Sequence, residues 1–188
     1  MSVPASTNSQ RNVVFVDGIR TPFGKAGPKG MYADTRADDL VVKAIRELLR
    51  KNPSLPPERI DEVAIAATTQ TGDQGLTIGR TSALLAGLPR SVPGFAIDRM
   101  CAGAMTSVTT TGSGIGFGQY DVVIAGGVEH MGHHPMGEGA APNPGFLAQL
   151  RELEGVYNER LIGEGSELLE LSERLELVVV DLSELVEL

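Results

Sequence analysis

Two sets of side chains have the chemistry to act on another molecule: the single cysteine, Cys101, and three histidines close together, His130, His133 and His134. Cys101 lies within Ile97-Asp98-Arg99-Met100-Cys101-Ala102-Gly103-Ala104-Met105. The segment before it, Val92 to Ile97, reads as a short buried strand. The run after it, Ala102 to Gly118, has no charged residue and reads as a helix. Cys101 is therefore expected on a strand-to-helix turn, at a helix N-terminus. Unpaired N–H groups and the positive end of the helix dipole favour an anion there, and the thiolate is the nucleophilic form of cysteine. A lone cysteine is also commonly a small buried hydrophobe, and position alone leaves both readings open. Clustered histidines can ligate a metal, but a closed zinc site needs about four ligands, and no acidic or thiol partner is spaced to complete one. No metal is expected.

The elements that position these groups follow from periodicity and punctuation. Asn12 to Asp17 reads as a first strand, and Gly18 to Lys25 as a Gly- and Pro-containing loop. Thr35 is the expected cap of a helix whose apolar residues, Leu40, Val41, Ala44, Ile45, Leu48 and Leu49, recur at helical spacing. Asn52-Pro53 ends it. A second strand falls within Asp61 to Ala67, a polar turn within Thr68 to Gly75, and a second helix within Thr77 to Ala86, closed by Gly87. Tyr120 to Gly127 is a further strand. Strands alternating with helices imply an α/β fold with a mainly parallel sheet, whose ligand sites lie at the carboxyl ends of its strands. The helix after Cys101 contains Thr106, Ser107, Thr109, Thr110, Thr111, Gly112, Ser113, Gly114 and Gly116, all poor helix formers. With no charged face it is expected to be a central helix buried on every side. A loop over the same threonine- and glycine-rich run is the alternative.

The 188-residue length fits one core. No apolar run is long enough for a membrane span, and Met1 to Asn12 lacks the apolar core of a signal peptide. One cysteine fits a reducing, cytoplasmic compartment. The net charge of −8 is uneven. From Leu147 onward three arginines stand against eleven acidic residues, while residues 1–146 carry 13 basic and 13 acidic residues. No basic, aromatic cluster of the kind that binds nucleic acid is present. Three regions result: a polar tail (1–12), an α/β domain (13–146) and an acidic, Leu- and Glu-rich segment (147–188). In that segment Leu147 to Tyr157 and Leu168 to Leu175 are helix candidates and Leu177 to Leu182 a strand candidate. An acidic tail without regular structure is the equal alternative.

Four stretches, in order, resemble the thiolase family: Gly18-Ile19-Arg20-Thr21-Pro22-Phe23-Gly24-Lys25, Gly72-Asp73-Gln74-Gly75, Arg99-Met100-Cys101-Ala102-Gly103-Ala104, and Ala125-Gly126-Gly127-Val128-Glu129-His130-Met131. The resemblance runs from about Val13 to Phe146 and covers only the first of the family's two halves. It implies a layered α/β fold, acyl-CoA substrates with coenzyme A as a reactant and no bound cofactor, and a role in fatty-acid metabolism. It further implies a homo-oligomer or a complementary C-terminal half as partner. Cys101 falls on the family's nucleophilic cysteine, which carries the acyl group as a thioester. His130, Met131, His133 and His134 are candidates for lining or bordering the acyl-CoA pocket; solvated loop positions are the alternative for the histidines.

The family's Asn-Glu-Ala-Phe, Gly-His-Pro and second Cys-x-Gly segments are not in this sequence. Gly132-His133-His134-Pro135 has the look of Gly-His-Pro but follows a strand of the first half, so the catalytic histidine is not transferred to it. The expected activity, 3-ketoacyl-CoA thiolysis or acetyl-CoA condensation, is accordingly expected to be incomplete in this chain. Ketoacyl synthases also place a cysteine on a strand-to-helix turn, but Gly126-Gly127-Val128-Glu129 and Arg99 to Gly103 favour thiolase. A non-catalytic scaffold derived from a thiolase is the other reading.

Overall fold

The computed structural model describes residues 11–135, 139, 141 and 143–145, together with the backbone of 176–181. The elements are β1 (Asp17–Ile19), α1 (Ala37–Lys51), β2 (Glu62–Ala66), α2 (Ile78–Ala86), β3 (Gly94–Ile97), α3 (Gly103–Gly116), β4 (Val122–Gly127) and β5 (Glu176–Asp181). They form one sheet in the order β1-β5-β4-β2-β3. β2 pairs in parallel with β3 and β4, placing Ala66 opposite both Ile97 and Gly127. β5 is antiparallel to β1 and to β4. Four of the five strands therefore run one way, as a mainly parallel sheet requires. Among the described residues no helix is long and apolar enough to cross a membrane.

Strand alternation sends successive side chains to opposite faces. On one face Val63, Ile65, Val122 and Ile124 pack with Val41, Ala44, Ile45 and Leu48 of α1 and with Ile78 and Ala83 of α2. On the other, β2 presents Ala64 and Ala66, and β4 presents Val123, Ala125 and Gly127. These small residues let α3 lie close. A Cβ added to Gly103 would stand 2.8 Å from that of Ala66, and one added to Gly127 would stand 3.1 Å from that of Ala104. Ile115 closes the far end of the same contact against Val123 and Tyr120.

α3 forms where it was expected, but only one face is covered. Gly103, Ser107, Thr111, Gly114 and Ile115 are buried, whereas Met105 and Phe117 are each more than two-thirds exposed. Burial on every side is thus corrected. The helix rests on one sheet, and no second layer lies over it among the described residues. Its hydroxyls turn back onto its own carbonyls: Thr111 Oγ1 donates to Ser107 O at 2.8 Å and Thr106 Oγ1 to Ala102 O at 2.8 Å. Such bonds remove the need for polar partners on a surface without charges.

Two local expectations also change. The first strand is not Asn12 to Asp17 but Asp17–Ile19, because only that stretch finds a ladder partner, in Leu177 to Val179. Val13 to Val16 remain outside the sheet and exposed. Val13 approaches Gly112 and Gly116, and the Arg11 N–H donates to Gly116 O at 3.2 Å. The strand candidate at Leu177 to Leu182 is found at Glu176–Asp181. The helix candidates at Leu147 to Tyr157 and Leu168 to Leu175 lie outside the described residues.

The packing of α3 separates two glycines. A Cβ on Gly114 would meet the Tyr120 ring at 2.6 Å, whereas one on Gly116 meets nothing nearer than Val13 at 3.8 Å. Gly114→Leu is expected to lose about 1–3 kcal/mol through overpacking, and Gly116→Leu clearly less. Thermal melting of the two variants beside wild type checks this; equal melting would mean that α3 does not rest on Tyr120.

Candidate active site

Cys101 is placed by three pieces of geometry. β3 ends at Ile97, and Asp98 Oδ1 accepts the Met100 N–H at 3.1 Å. Met100 takes a left-handed φ of +45°, a conformation that costs a non-glycine residue energy and reverses the chain sharply. One 3-10 turn, Met100–Ala102, then leads into α3 at Gly103. The close contact of Gly103 with Ala66 presses this end of α3 against the carboxyl end of β2. Cys101 is exposed and unpaired by disulfide. It stands at the end of a parallel strand, beside the N-terminal N–H groups of a 14-residue helix. A thiol in that position is open to an electrophile, and the backbone donors beside it can receive developing negative charge.

The histidines are held by other protein groups. His130 is fully buried. Its Nε2 donates to Tyr32 O at 3.1 Å and its Nδ1 accepts the His133 N–H at 3.1 Å. The His133 ring stacks on that of His130 with centroids 3.8 Å apart. His133 Nδ1 lies 2.8 Å from Asp73 Oδ2, and Nε2 lies 2.8 Å from Ala33 O. His134 is buried, with Nε2 on Asp73 Oδ1. Met131 is partly buried on the same loop. No hydrogen bond among the described residues joins Cys101 to any of the three rings. A solvated position is therefore excluded for His130 and His134, and both ring nitrogens of His130 and His133, with Nε2 of His134, are engaged by protein groups.

Asp73 was the residue that sequence reasoning passed over. It sits on the 3-10 turn Gly72–Gln74 and is buried. Besides the two imidazoles, its Oδ2 accepts the Ala37 N–H at 2.9 Å, the first N–H of α1. Asp73 thus caps α1 from across the fold, whereas the expected cap, Thr35, makes no such bond: α1 begins one residue later than that reading requires, with Arg36 at its N-cap. Gln74 and Glu129 extend the network. Gln74 Oε1 accepts the His130 N–H, Gln74 Nε2 donates to Glu129 Oε1 at 3.1 Å, and Glu129 Oε2 accepts the Thr68 N–H at 2.8 Å. Three loops meet here: the approach to α1, the turn after β2 and the loop after β4. Gly72 is required beneath them. Its φ is +50°, and an added Cβ would lie 2.5 Å from His134 Cε1. The available signal in the sequence was the pairing of a histidine-rich segment with an acid in the earlier Gly72-Asp73-Gln74-Gly75 match; their separation of some 60 positions hid it.

Burial by itself pushes the Asp73 carboxyl upward. Hydrogen bonds from His133, the Ala37 N–H and His134, with the charge of His133, overcome that and hold it well below the usual carboxylate range.

The family model described as "Thiolase, N-terminal domain" matches residues 13–165. A 3-ketoacyl-CoA thiolase of Aliivibrio fischeri is 39% identical over 146 residues, which span 78% of this chain and 38% of that protein. A 3-ketoacyl-CoA thiolase of Saccharophagus degradans is 42% identical over 145 residues, 77% of this chain and 37% of that protein. The crystal structure of the Bacillus anthracis acetyl-CoA acetyltransferase is similar with a TM-score of 0.62 and 33% identity, covering 67% of this chain and 31% of that one. The chain thus spans well under half the length of the relatives it matches.

A carboxyl held low in the folded state stabilises the fold fully above its unfolded value of about 3.9. That contribution disappears as pH falls through the folded value. Asp73→Asn is expected to cost on the order of 2–3 kcal/mol at neutral pH. This is below the ~3–5 kcal/mol of breaking a fully buried pair, because His133 is 27% exposed. Urea unfolding between about pH 2 and pH 7 should give a shallower acid limb for the variant than for wild type; parallel limbs would show that Asp73 does not carry the acid dependence.

Proposed function

The chain belongs to the thiolase family, of which it carries the N-terminal domain, and on that footing we propose that it performs the acyl-accepting half of a thiolase-type acyl transfer, with Cys101 as nucleophile. The observation that carries this reading is the exposed Cys101 thiol on the turn between β3 and α3. Its thiolate attacks the ketone carbon of a 3-ketoacyl-CoA. The negative charge that develops on the ketone oxygen is met by N–H groups at the start of α3. The bond between the α and β carbons breaks, and its electron pair leaves as the acetyl-CoA carbanion, which must take a proton. The acyl group stays on Cys101 as a thioester until the thiol of coenzyme A displaces it. In the opposite direction two acetyl-CoA molecules condense. Fatty-acid degradation and its biosynthetic reverse are both consistent with these steps.

The proposal assigns the second set of residues a supporting role. His130, His133 and His134 border the acyl-CoA pocket by holding the loop after β4, and Met131 stands on that loop as the side chain closest in character to an acyl chain. The uncovered face of α3, with Met105 and Phe117 exposed, supports a partner that completes the layer: a complementary C-terminal half of a thiolase or a second copy of this chain. The proton-transfer groups needed for the carbanion would come with that half. A division near residue 146 is proposed only as a change of composition, since the family match runs on to residue 165; β5 in the sheet supports a structural tie between the acidic segment and the domain.

Two measurements separate acyl acceptance from turnover. After incubation with acetyl-CoA, peptide mass spectrometry is expected to find one acetyl group on Cys101, absent in Cys101→Ser; no adduct would overturn the nucleophile. In acetoacetyl-CoA thiolysis the chain alone is expected to fall far below ~1 s⁻¹, the low end of ordinary enzymes, since each missing proton-transfer group costs about 10²–10⁴ in rate. Turnover at ~1 s⁻¹ that Cys101→Ser abolishes would mean that these residues already hold a complete site. An acetylated but silent chain that also stays silent with a thiolase C-terminal half would favour the scaffold reading.

A further inference from the structure

We propose that His133 is carried as an imidazolium, and that its proton closes the junction of the three loops around Asp73. The two ring nitrogens face two oxygens, Asp73 Oδ2 at 2.8 Å and Ala33 O at 2.8 Å. A carboxylate and a carbonyl can only accept. A neutral imidazole carries one N–H, so one of these contacts would set a lone pair against a lone pair. Only the doubly protonated ring satisfies both.

His130 provides the contrast. Its Nε2 faces an acceptor, Tyr32 O, but its Nδ1 faces a donor, the His133 N–H. A neutral ring with its proton on Nε2 meets both, so the stack at 3.8 Å sets a neutral ring on a charged one and avoids two adjacent cations. The charges of the described residues agree. From the Gly72–Gln74 turn comes Asp73, the counterion. From the loop after β4, which carries His133 itself, comes His134, which donates to the other oxygen of Asp73. From the approach to α1 come the Tyr32 and Ala33 carbonyls and the Ala37 N–H, and Arg36 is engaged by Asp38 at 2.7 Å while also feeling Asp73. Glu129 is committed to Thr68 and Gln74.

His133 therefore acts as a positioning residue. Its two N–H groups join the loop after β4, through Asp73, to the turn after β2 and, through Ala33, to the approach to α1. Linkage is reciprocal: a cation that favours the Asp73 carboxylate is itself favoured by it. The resulting stability is complete below the unfolded histidine value of about 6.5. It is lost as pH rises through the higher folded value. The junction then opens on the alkaline side by loss of the His133 proton, and on the acid side by protonation of Asp73.

The test reads the ring itself. In ¹H–¹⁵N spectra of the full chain, assigned through the backbone, both His133 ring nitrogens are expected to show the protonated shift at pH 8, where only ~3% of a free imidazole of that value is charged. His130 is expected to show one protonated and one bare nitrogen under the same conditions. A bare nitrogen on His133 at pH 8 would overturn the proposal. His133→Gln supplies a second readout: the melting temperature of wild type should fall between about pH 7 and pH 10 more steeply than that of the variant. Parallel profiles would equally overturn it, and if the variant does not fold, the wild-type spectrum decides. Loss of Cys101 acetylation would leave the His133 ring unchanged, so failure of the acyl-transfer reading and failure of this one are told apart.

Discussion

The Asp73 carboxylate is buried, and a buried charge persists only where donors surround it. Its donors come from two distant parts of the chain: the first N–H of α1, and the two imidazoles of the loop after β4. Each has its own reason to need an acceptor. The N-terminus of α1 has orphan N–H groups and no cap from its own flank. The histidines sit where solvent cannot reach them freely. One carboxylate meets both needs, and in doing so sets the height at which the turn after β2 stands above the sheet. Gln74 and Glu129 repeat the arrangement one step closer to the strands, ending on the Thr68 N–H. The carboxyl end of the sheet is thereby built of hydrogen bonds, whereas its middle is built of apolar contacts between β2, β4, α1 and α2.

Cys101 depends on a different constraint, the smallness of one sheet face. Ala66, Gly127 and Gly103 together allow the first turn of α3 to lie against the strand ends. A larger residue at any of them would lift the helix and carry the thiol with it. The left-handed Met100 and the Asp98 contact then hold the short link from β3. The Cys101 thiol is thus positioned by van der Waals limits, and the loops around Asp73 by charge, which makes the two places respond to different perturbations.

Much of this was legible in the chain. Helical spacing from Leu40 to Leu48, the Gly87 stop and the apolar runs of β2, β3 and β4 located the main elements, because each pattern follows from burial of one face. The place of Cys101 just before a helix was legible because a charge-free run began immediately after it. What could not be read was tertiary. The absence of charge on α3 reads as burial on every side, whereas the described residues cover one face only. Val13 to Val16 have strand-forming side chains, yet pairing begins only at Asp17, where β5 supplies a partner. Thr35 looked like a cap by its type and place, while the acceptor actually used lies at Asp73. The histidines were read along the sequence, as ligands or pocket residues, and their partners were a carboxylate and two carbonyls far from them in the chain.

Gly72 and His134 share a consequence for how sequences of this kind can diverge. The left-handed backbone at Gly72 narrows the replacements to residues such as asparagine or aspartate, and the imidazole at 2.5 Å leaves no volume even for their first carbon. A change at position 72 therefore demands a smaller side chain at position 134, while a small residue at 134 leaves glycine at 72 free to stay. The two positions should drift in a fixed order, with 134 moving first. Among relatives, a side chain at the first position should be found only beside a reduced one at the second.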